Sequence, residues 1–172
     1  SAIACTPEDY TILPPSYALA DSFPVRALEF SLGLKQVWLE LCRMTPVAST
    51  TAPADRSSII PLPHPFFIPG GRFRECYYWD TYWVVKGLLS CDMATSARYC
   101  TENLLSMVDR FGFVPNGNRV YYLNRSQPPT LAITVEAVLN HAVDPDLDWL
   151  ETCVPKLDRE YSMFVESHCP NE

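Results

Sequence analysis

The sequence predicts a nearly all-helical fold, and three observations carry that prediction. Apolar residues recur at helical spacing along successive segments. The sixteen prolines crowd residues 7–24, 46–69 and 128–155 and leave most of the chain between them free to coil into helices. Glycine, proline and asparagine pairs mark the joins, as at Gly70-Gly71, Asn116-Gly117 and Pro128-Pro129.

Residues 1–23 read as an extended arm, and residues 24–172 as one helical domain. The first helix starts at Ser22-Phe23-Pro24, with Ser22 or Asp21 as cap and proline in the first turn, and runs to about Arg43. Its apolar residues form two stripes, one through 25, 28, 32, 39 and 42 and one through 27, 30, 34, 37, 38 and 41. A helix apolar on two faces packs inside a larger assembly. Residues 44–68 form a long connection rich in Pro, Ser and Thr. His64 lies between prolines with no nucleophile or metal partner nearby and reads as structural or exposed. A second helix covers roughly 75–90, with Tyr78, Tyr82, Val85 and Leu89 as its core stripe. A third spans about 92–110 through Ala97, Cys100, Leu104, Met107 and Phe111, and Gly112 ends it. Asn116-Gly117 then makes a tight turn, and Val120–Leu123 reads as a short strand or extended loop. Pro128-Pro129 opens a fourth helix to about Ala142. Pro145 begins a fifth to about Ser167, with an interruption expected at Pro155. No strong repeat of 20–50 residues is visible, although helix pairs recur at roughly 30–50-residue spacing.

Composition narrows the function. A chain of 172 residues can bury one core. A net charge of −7 argues against nucleic acid or an anionic membrane as the main partner. No run of 18 apolar residues occurs, so no transmembrane helix is expected, and no basic-then-apolar signal pattern is visible. The seven cysteines are odd in number, lack a CxxC pair and have irregular spacing. That pattern argues against zinc and reads mostly as reduced, buried small hydrophobes. No cofactor and no metal is expected.

The most informative stretch is Pro69–Trp83. A Gly-Gly turn leads Arg72 into a run of aromatics (Phe73, Tyr77, Tyr78, Trp79, Trp83) with Glu75 and Asp80 embedded. Aromatics gain by burial, while those charges must be paired or wet. Holding both together suits a polar pocket with aromatic walls; the plainer alternative is a buried aromatic helix with a structural ion pair. Arg72 offers a rigid fork of donors, Trp79 a flat apolar wall, and Asp80 an acceptor of two hydrogen bonds. Such a set suits a polyhydroxylated ligand, since a sugar has an apolar C–H face and vicinal hydroxyls. A second polar stretch, Pro115–Arg119 through Asn124–Pro129, carries amides, guanidiniums and hydroxyls, and fits neutral hydroxyls or an anion. It can equally serve to satisfy loop backbone. Without a Gly-rich loop followed by Lys-Ser/Thr, a nucleotide is disfavoured. Glycoside hydrolysis needs two carboxyl groups about the bond. Glu75, Asp80, Asp109 and Glu136 are candidates, with Asp109 read as solvated surface and Glu136 as a core-edge or buried polar residue. No pair among them stands out. No Gly-x-Ser-x-Gly occurs, and the histidines are scattered, so a nucleophilic triad has no support.

At these residues the chain resembles the trehalases of glycoside hydrolase family 37. Pro69-Gly70-Gly71-Arg72-Phe73-x-Glu75-x-Tyr77-x-Trp79-Asp80-x-Tyr82 matches the family's first signature at each fixed position. The approach Ser58–Phe66 and the run Gly112–Pro129 are also similar. The resemblance extends from about Leu28 to Phe164 and weakens after Leu139. It implies an (α/α)6 toroid, of which about five helices are here, and trehalose as substrate. It implies that Arg72, Phe73, Trp79, Asp80, Asn116, Arg125, Ser126 and Gln127 line or wall the glucose site, with Asp80 holding hydroxyls and not transferring protons. The family's Gln-Trp-Asp-x-Pro signature and the motif with its catalytic acid are absent, so both catalytic carboxylates are expected beyond Glu172. The chain thus reads as an N-terminal piece of an inverting α,α-trehalase, without turnover of its own. The rival readings are a non-catalytic or degenerate sugar-binding module, and a merely structural helical domain. An open arc of helices is also expected to self-associate through uncovered apolar faces.

Overall fold

A computed structural model describes residues 2–16, 24–46 and 57–168. Five α-helices carry the fold: α1 (Val25–Leu41), α2 (Tyr78–Ser90), α3 (Ala94–Phe111), α4 (Leu131–His141) and α5 (Leu147–His168). Three short strands, β1 (Ile3–Ala4), β2 (Cys42–Met44) and β3 (Phe66–Phe67), form one antiparallel sheet in the order β1-β2-β3. Nothing in the sequence pattern announced this sheet, because strands this short carry no period. The proposed caps Asp21 and Ser22 lie outside the described residues, as do the middle of the 44–68 connection and Cys169.

Helices α2, α3 and α4 pack against one another, and α5 lies on α3 and α4. Their shared core holds Tyr78, Leu104, Met107, Val108, Leu131, Val135, Trp149 and Cys153, joined by Phe66, Ile68 and Val114 from the connections. A second cluster sits between α2, the start of α3 and the sheet, around Phe67, Val85, Leu88, Met93 and Cys100. Gly112 ends α3 with φ +85°, a left-handed cap that a side chain would strain.

Helix α1 is attached differently. The Trp38 indole packs edge-on against Phe67 at 5.5 Å and its N–H donates to Cys91 Sγ at 3.3 Å. It passes so close to Gly87 that an added Cβ there would meet the ring at 2.7 Å. Lys35 is buried, and its ammonium donates to Thr11 Oγ1 and the Leu13 carbonyl, each at 3.0 Å. On its other side Val25, Phe30, Leu34 and Val37 are exposed.

Three expectations need correction. Helix α2 starts at Tyr78 and not near 75, because residues 75–77 are drawn into pairing with the 116–118 turn. Val120–Tyr122 is a 3₁₀ turn, not a strand. Helix α5 runs unbroken through Pro155. Glu151 and Pro155 are both exposed, so the carbonyl that loses its partner can turn to water.

Candidate functional site

The site is built from loops that meet at the N-terminus of α2. Gly70 and Gly71 have φ of +111° and +58°, and the Phe73 amide closes the turn on the Gly70 carbonyl at 3.1 Å. That turn leaves Arg72 exposed and lays its guanidinium 5.0 Å from the Phe73 ring centre.

Asn118 ties the layers together. It is fully buried, and its side chain accepts from the Cys76 amide at 2.9 Å and donates to the Ile60 carbonyl at 3.3 Å. Its own amide donates to the Cys76 carbonyl, and its carbonyl accepts from the Ile60 amide. Three loops thus converge on one asparagine, and the backbone groups they bury are paired. Beside it, Glu75 accepts from Arg119, with an ion-pair distance of 2.7 Å, and from the Tyr77 hydroxyl at 2.9 Å. Arg119 also donates to Ser58 Oγ at 3.0 Å. Burial alone would raise the Glu75 carboxyl; the Tyr77 hydroxyl and the Arg119 guanidinium outweigh burial and hold it below the usual carboxylate range. Glu75 is therefore a paired structural anion. Cys76 is buried beneath this layer, and burial pushes its thiol up to about 11, so it is no nucleophile at neutral pH.

Above the clamp lies a cavity of about 330 Å³ lined by Phe73, Tyr77, Asp80, Asn116, Tyr122, Arg125 and Gln127. Phe73 meets Tyr77 edge-on at 5.6 Å, and Arg125 stacks over the Tyr122 ring at 5.0 Å. The Gln127 carbonyl oxygen accepts from the Trp79 amide at 3.0 Å, which caps an otherwise unpaired donor of α2. Its NH₂ group remains to donate toward the cavity. Among the described residues, the carboxylate of Asp80, the side-chain amide of Asn116 and the guanidinium of Arg125 have no hydrogen-bond or ion-pair partner in the protein, while the Asn116 backbone N–H donates to the Arg125 carbonyl at 3.0 Å.

Of the residues singled out in the sequence, Phe73, Asp80, Asn116, Arg125 and Gln127 come together in the cavity lining. Arg72, Trp79 and Ser126 do not. Arg72 stands outside over Phe73, and Trp79 is 47% exposed on the first turn of α2. The Ser126 hydroxyl donates to the Val114 carbonyl at 2.7 Å, a backbone duty. The walls Tyr77 and Tyr122 were not among the candidate site residues. Both lie inside the quoted motifs, but nothing local separates a wall tyrosine from a core one.

The remaining carboxylates sit elsewhere. Asp109 is exposed and paired with Lys156. Glu136, expected at a core edge, is exposed on α4. It lines a larger cavity of about 510 Å³ between α2 and α4, with Tyr82, Lys86, Asn140 and His141. That space gathers no unpaired motif residue and, apart from Tyr82, has no aromatic wall. His64 pairs with Glu102 at 3.0 Å and stacks on Tyr99 at 4.3 Å, a structural placement.

A helical frame carrying a polar, aromatic-walled cavity built from loops is the form of a site for a small polar ligand. Comparison with known proteins makes the assignment specific: the chain belongs to the trehalase family, whose profile matches residues 6–172. It is 36% identical to a trehalase of Bombyx mori, over 94% of this chain and 27% of the relative. It is 46% identical to a trehalase of Pimpla hypochondriaca, over 80% of this chain and 23% of the relative. With human trehalase the identity is 39%, over 89% of this chain and 26% of the relative. A solved structure, neutral trehalase Nth1 from Saccharomyces cerevisiae, aligns with a TM-score of 0.46 at 37% identity, over 55% of this chain and 17% of that one. The chain spans about a quarter of the length of the curated relatives it matches.

Proposed function

We propose that this chain forms the sugar-binding part of an α,α-trehalase, and that residues 24–172 contribute about five helices to a larger (α/α)6 toroid. The observation that carries the reading is the trio Asp80, Asn116 and Arg125, unpaired in the protein and gathered between the rings of Phe73, Tyr77 and Tyr122. Asp80 and Asn116 are half-buried, and polar groups so placed without partners are costly unless a ligand or water completes them; Arg125 is exposed at the edge of the cavity. A glucosyl unit answers each one: its hydroxyls pair with the carboxylate, amide and guanidinium, and its C–H face lies on a ring. Arg72, Trp79 and Ser126 belong to the same site at one remove. Arg72 and Trp79 are exposed groups at its rim, and Ser126 holds the loop that presents Arg125 and Gln127.

The chemistry is assigned to the complete enzyme. Inverting hydrolysis needs an acid and a base about 6.5–9.5 Å apart. Among the described residues Asp80 is the one carboxylate that lines this cavity, and Glu75 is spent on Arg119 and Tyr77. One carboxylate suffices to hold hydroxyls and cannot act as an acid–base pair. The same observation favours a second reading, a sugar-binding module without turnover.

Titration calorimetry on the purified chain tests the assignment. Trehalose is expected to bind saturably. Asp80→Asn is expected to weaken binding by about tenfold or more, the worth of a hydrogen bond to a charged group. No saturable binding, or equal affinity of the variant, removes the reading. Glucose release by the chain alone, abolished by Asp80→Asn, would overturn the division between binding and chemistry.

A further inference from the structure

The N-terminal strap, residues 2–16, and strand β2 bring together two thiols that the sugar site does not use, Cys5 and Cys42. Strands β1 and β2 pair with Ile3 opposite Met44 and Ala4 opposite Arg43. One step further along the ladder Cys5 faces Cys42, and the Cys5 amide donates to the Cys42 carbonyl at 3.4 Å. Their sulfurs stand 2.9 Å apart. Directly opposed residues of an antiparallel pair have Cα atoms roughly 4.5–5.5 Å apart, within the span of about 4.4–6.8 Å that a disulfide accepts. Among the described cysteines no other two are brought sulfur to sulfur: Cys76 meets Thr81, and Cys91 meets the Trp38 indole. Access is asymmetric, with Cys42 buried and Cys5 half-exposed.

We propose that Cys5 and Cys42 form a dithiol site for a small-molecule disulfide, and that oxidation locks the strap to the sheet. The Cys5 thiolate, the reachable one, attacks a sulfur of the oxidant. This expels one thiolate and leaves Cys5 in a mixed disulfide. Cys42 then gives up its proton to solvent and attacks the Cys5 sulfur, expelling the second thiolate. The protein loses two electrons and two protons, and the oxidant leaves as two thiols. Burial, more than the neighbouring Cys5, pushes the Cys42 thiol up, so it reacts only once its sulfur has been brought to Cys5 by the strand pairing.

Besides the apolar contacts of Ala2 and Tyr10 with the two core clusters, the strap is held by polar ties, which the bond would restrain. Asp9 accepts from the Ser96 amide at 2.9 Å near the start of α3, Glu8 accepts from the Tyr99 hydroxyl at 2.9 Å, and Thr11 and Leu13 accept from Lys35. The exposed tie between Tyr99 and Glu8 opens more easily than those of the buried Lys35 ammonium. A covalent tie at residue 5 restrains them together.

The test treats the purified chain with excess oxidised glutathione and maps it after alkylation under denaturing conditions. The expected product is a tryptic peptide containing Cys5 joined to the one containing Cys42, with an intact mass lower by two hydrogens. Amide exchange over residues 6–16 is expected to slow by about fivefold or more in the oxidised protein. In Cys5→Ser, the same oxidant should leave that exchange unchanged. The proposal fails if both thiols remain alkylatable, if Cys5 joins another cysteine, if a glutathione adduct persists on Cys5 beside a free Cys42, or if the linked protein exchanges as fast as the reduced one.

Discussion

Different forces hold the helical layer and the loop layer above it. Beneath, α2 to α5 meet through Leu104, Met107, Val108, Leu131 and Val135, and what holds them is apolar area withdrawn from water. Above, the loops around the cavity meet through Asn118, Glu75 and Arg119, and what holds them is a closed set of hydrogen bonds and one ion pair. The difference teaches why the site sits where it does. An apolar layer offers few partners, and Thr130 Oγ1 at the start of α4 is the one buried side-chain polar atom left unpaired among the described residues. A polar layer already pairs donors with acceptors, and it can leave Asp80, Asn116 and Arg125 for a ligand to complete.

Breaking the lower layer is expected to have the largest effect. Leu104 is fully buried in α3, and Leu104→Ala should cost about 2–5 kcal/mol by transfer and cavity terms. Denaturant unfolding measures it, and the loss should be global. If the cavity loops alone loosen, the two layers are not separable in this way.

Asn118→Ala comes next. It strips partners from the buried Cys76 amide and Ile60 carbonyl, each worth about 1–3 kcal/mol when left unsatisfied. Here the expected signature is local. Hydrogen exchange should rise at 58–60, 75–77 and 116–119 while the amides of α3 keep their protection. Uniform loss of protection would merge the layers into one cooperative unit.

The smallest effects sharpen the comparison through pH. Glu75 titrates below the usual range in the folded protein. Its contribution is present above the ordinary glutamate pKa of about 4.3 and is lost as pH falls from there through the depressed folded value. Glu160, from α5, is the opposite case. Burial raises its carboxyl despite the hydrogen bond with Tyr78. The stability linked to it is present below the ordinary value and is lost as pH rises through the raised one. Melting temperature against pH should therefore fall less steeply on the acid side in Glu75→Gln, at a cost near neutrality of about 1.5–3 kcal/mol. Glu160→Gln should instead gain slightly at neutral pH. An unchanged acid limb in Glu75→Gln would remove the ion pair from this account.

Much of the lower layer was legible in advance. The stripes through Ala97, Cys100, Leu104, Met107 and Phe111 and through Tyr78, Tyr82, Val85 and Leu89 placed α3 and α2, although Tyr82 and Phe111 are only half-buried, and Gly112 placed a helix end. The site was legible in composition but not in geometry. Arg72 and Asp80 looked equivalent as unpaired charges beside aromatics. The fold places Asp80 in the cavity and leaves Arg72 outside over Phe73. Glu75 looked like a candidate acid until Arg119, far along the chain, closed on it.

By itself the sequence determined the helices, their punctuation, the polar content of the two motifs and the family, because each of these is written in neighbouring residues or short fixed spacings. Only the tertiary structure decided the rest. It paired β1 with β2 and Cys5 with Cys42, drew residues 75–77 out of α2, let α5 pass Pro155 on an exposed face, and set Tyr77 and Tyr122 as walls. The physical reason is common to all of them. Each depends on a partner, or on access to water, that comes from how distant parts of the chain pack, and residue type alone does not encode that distance.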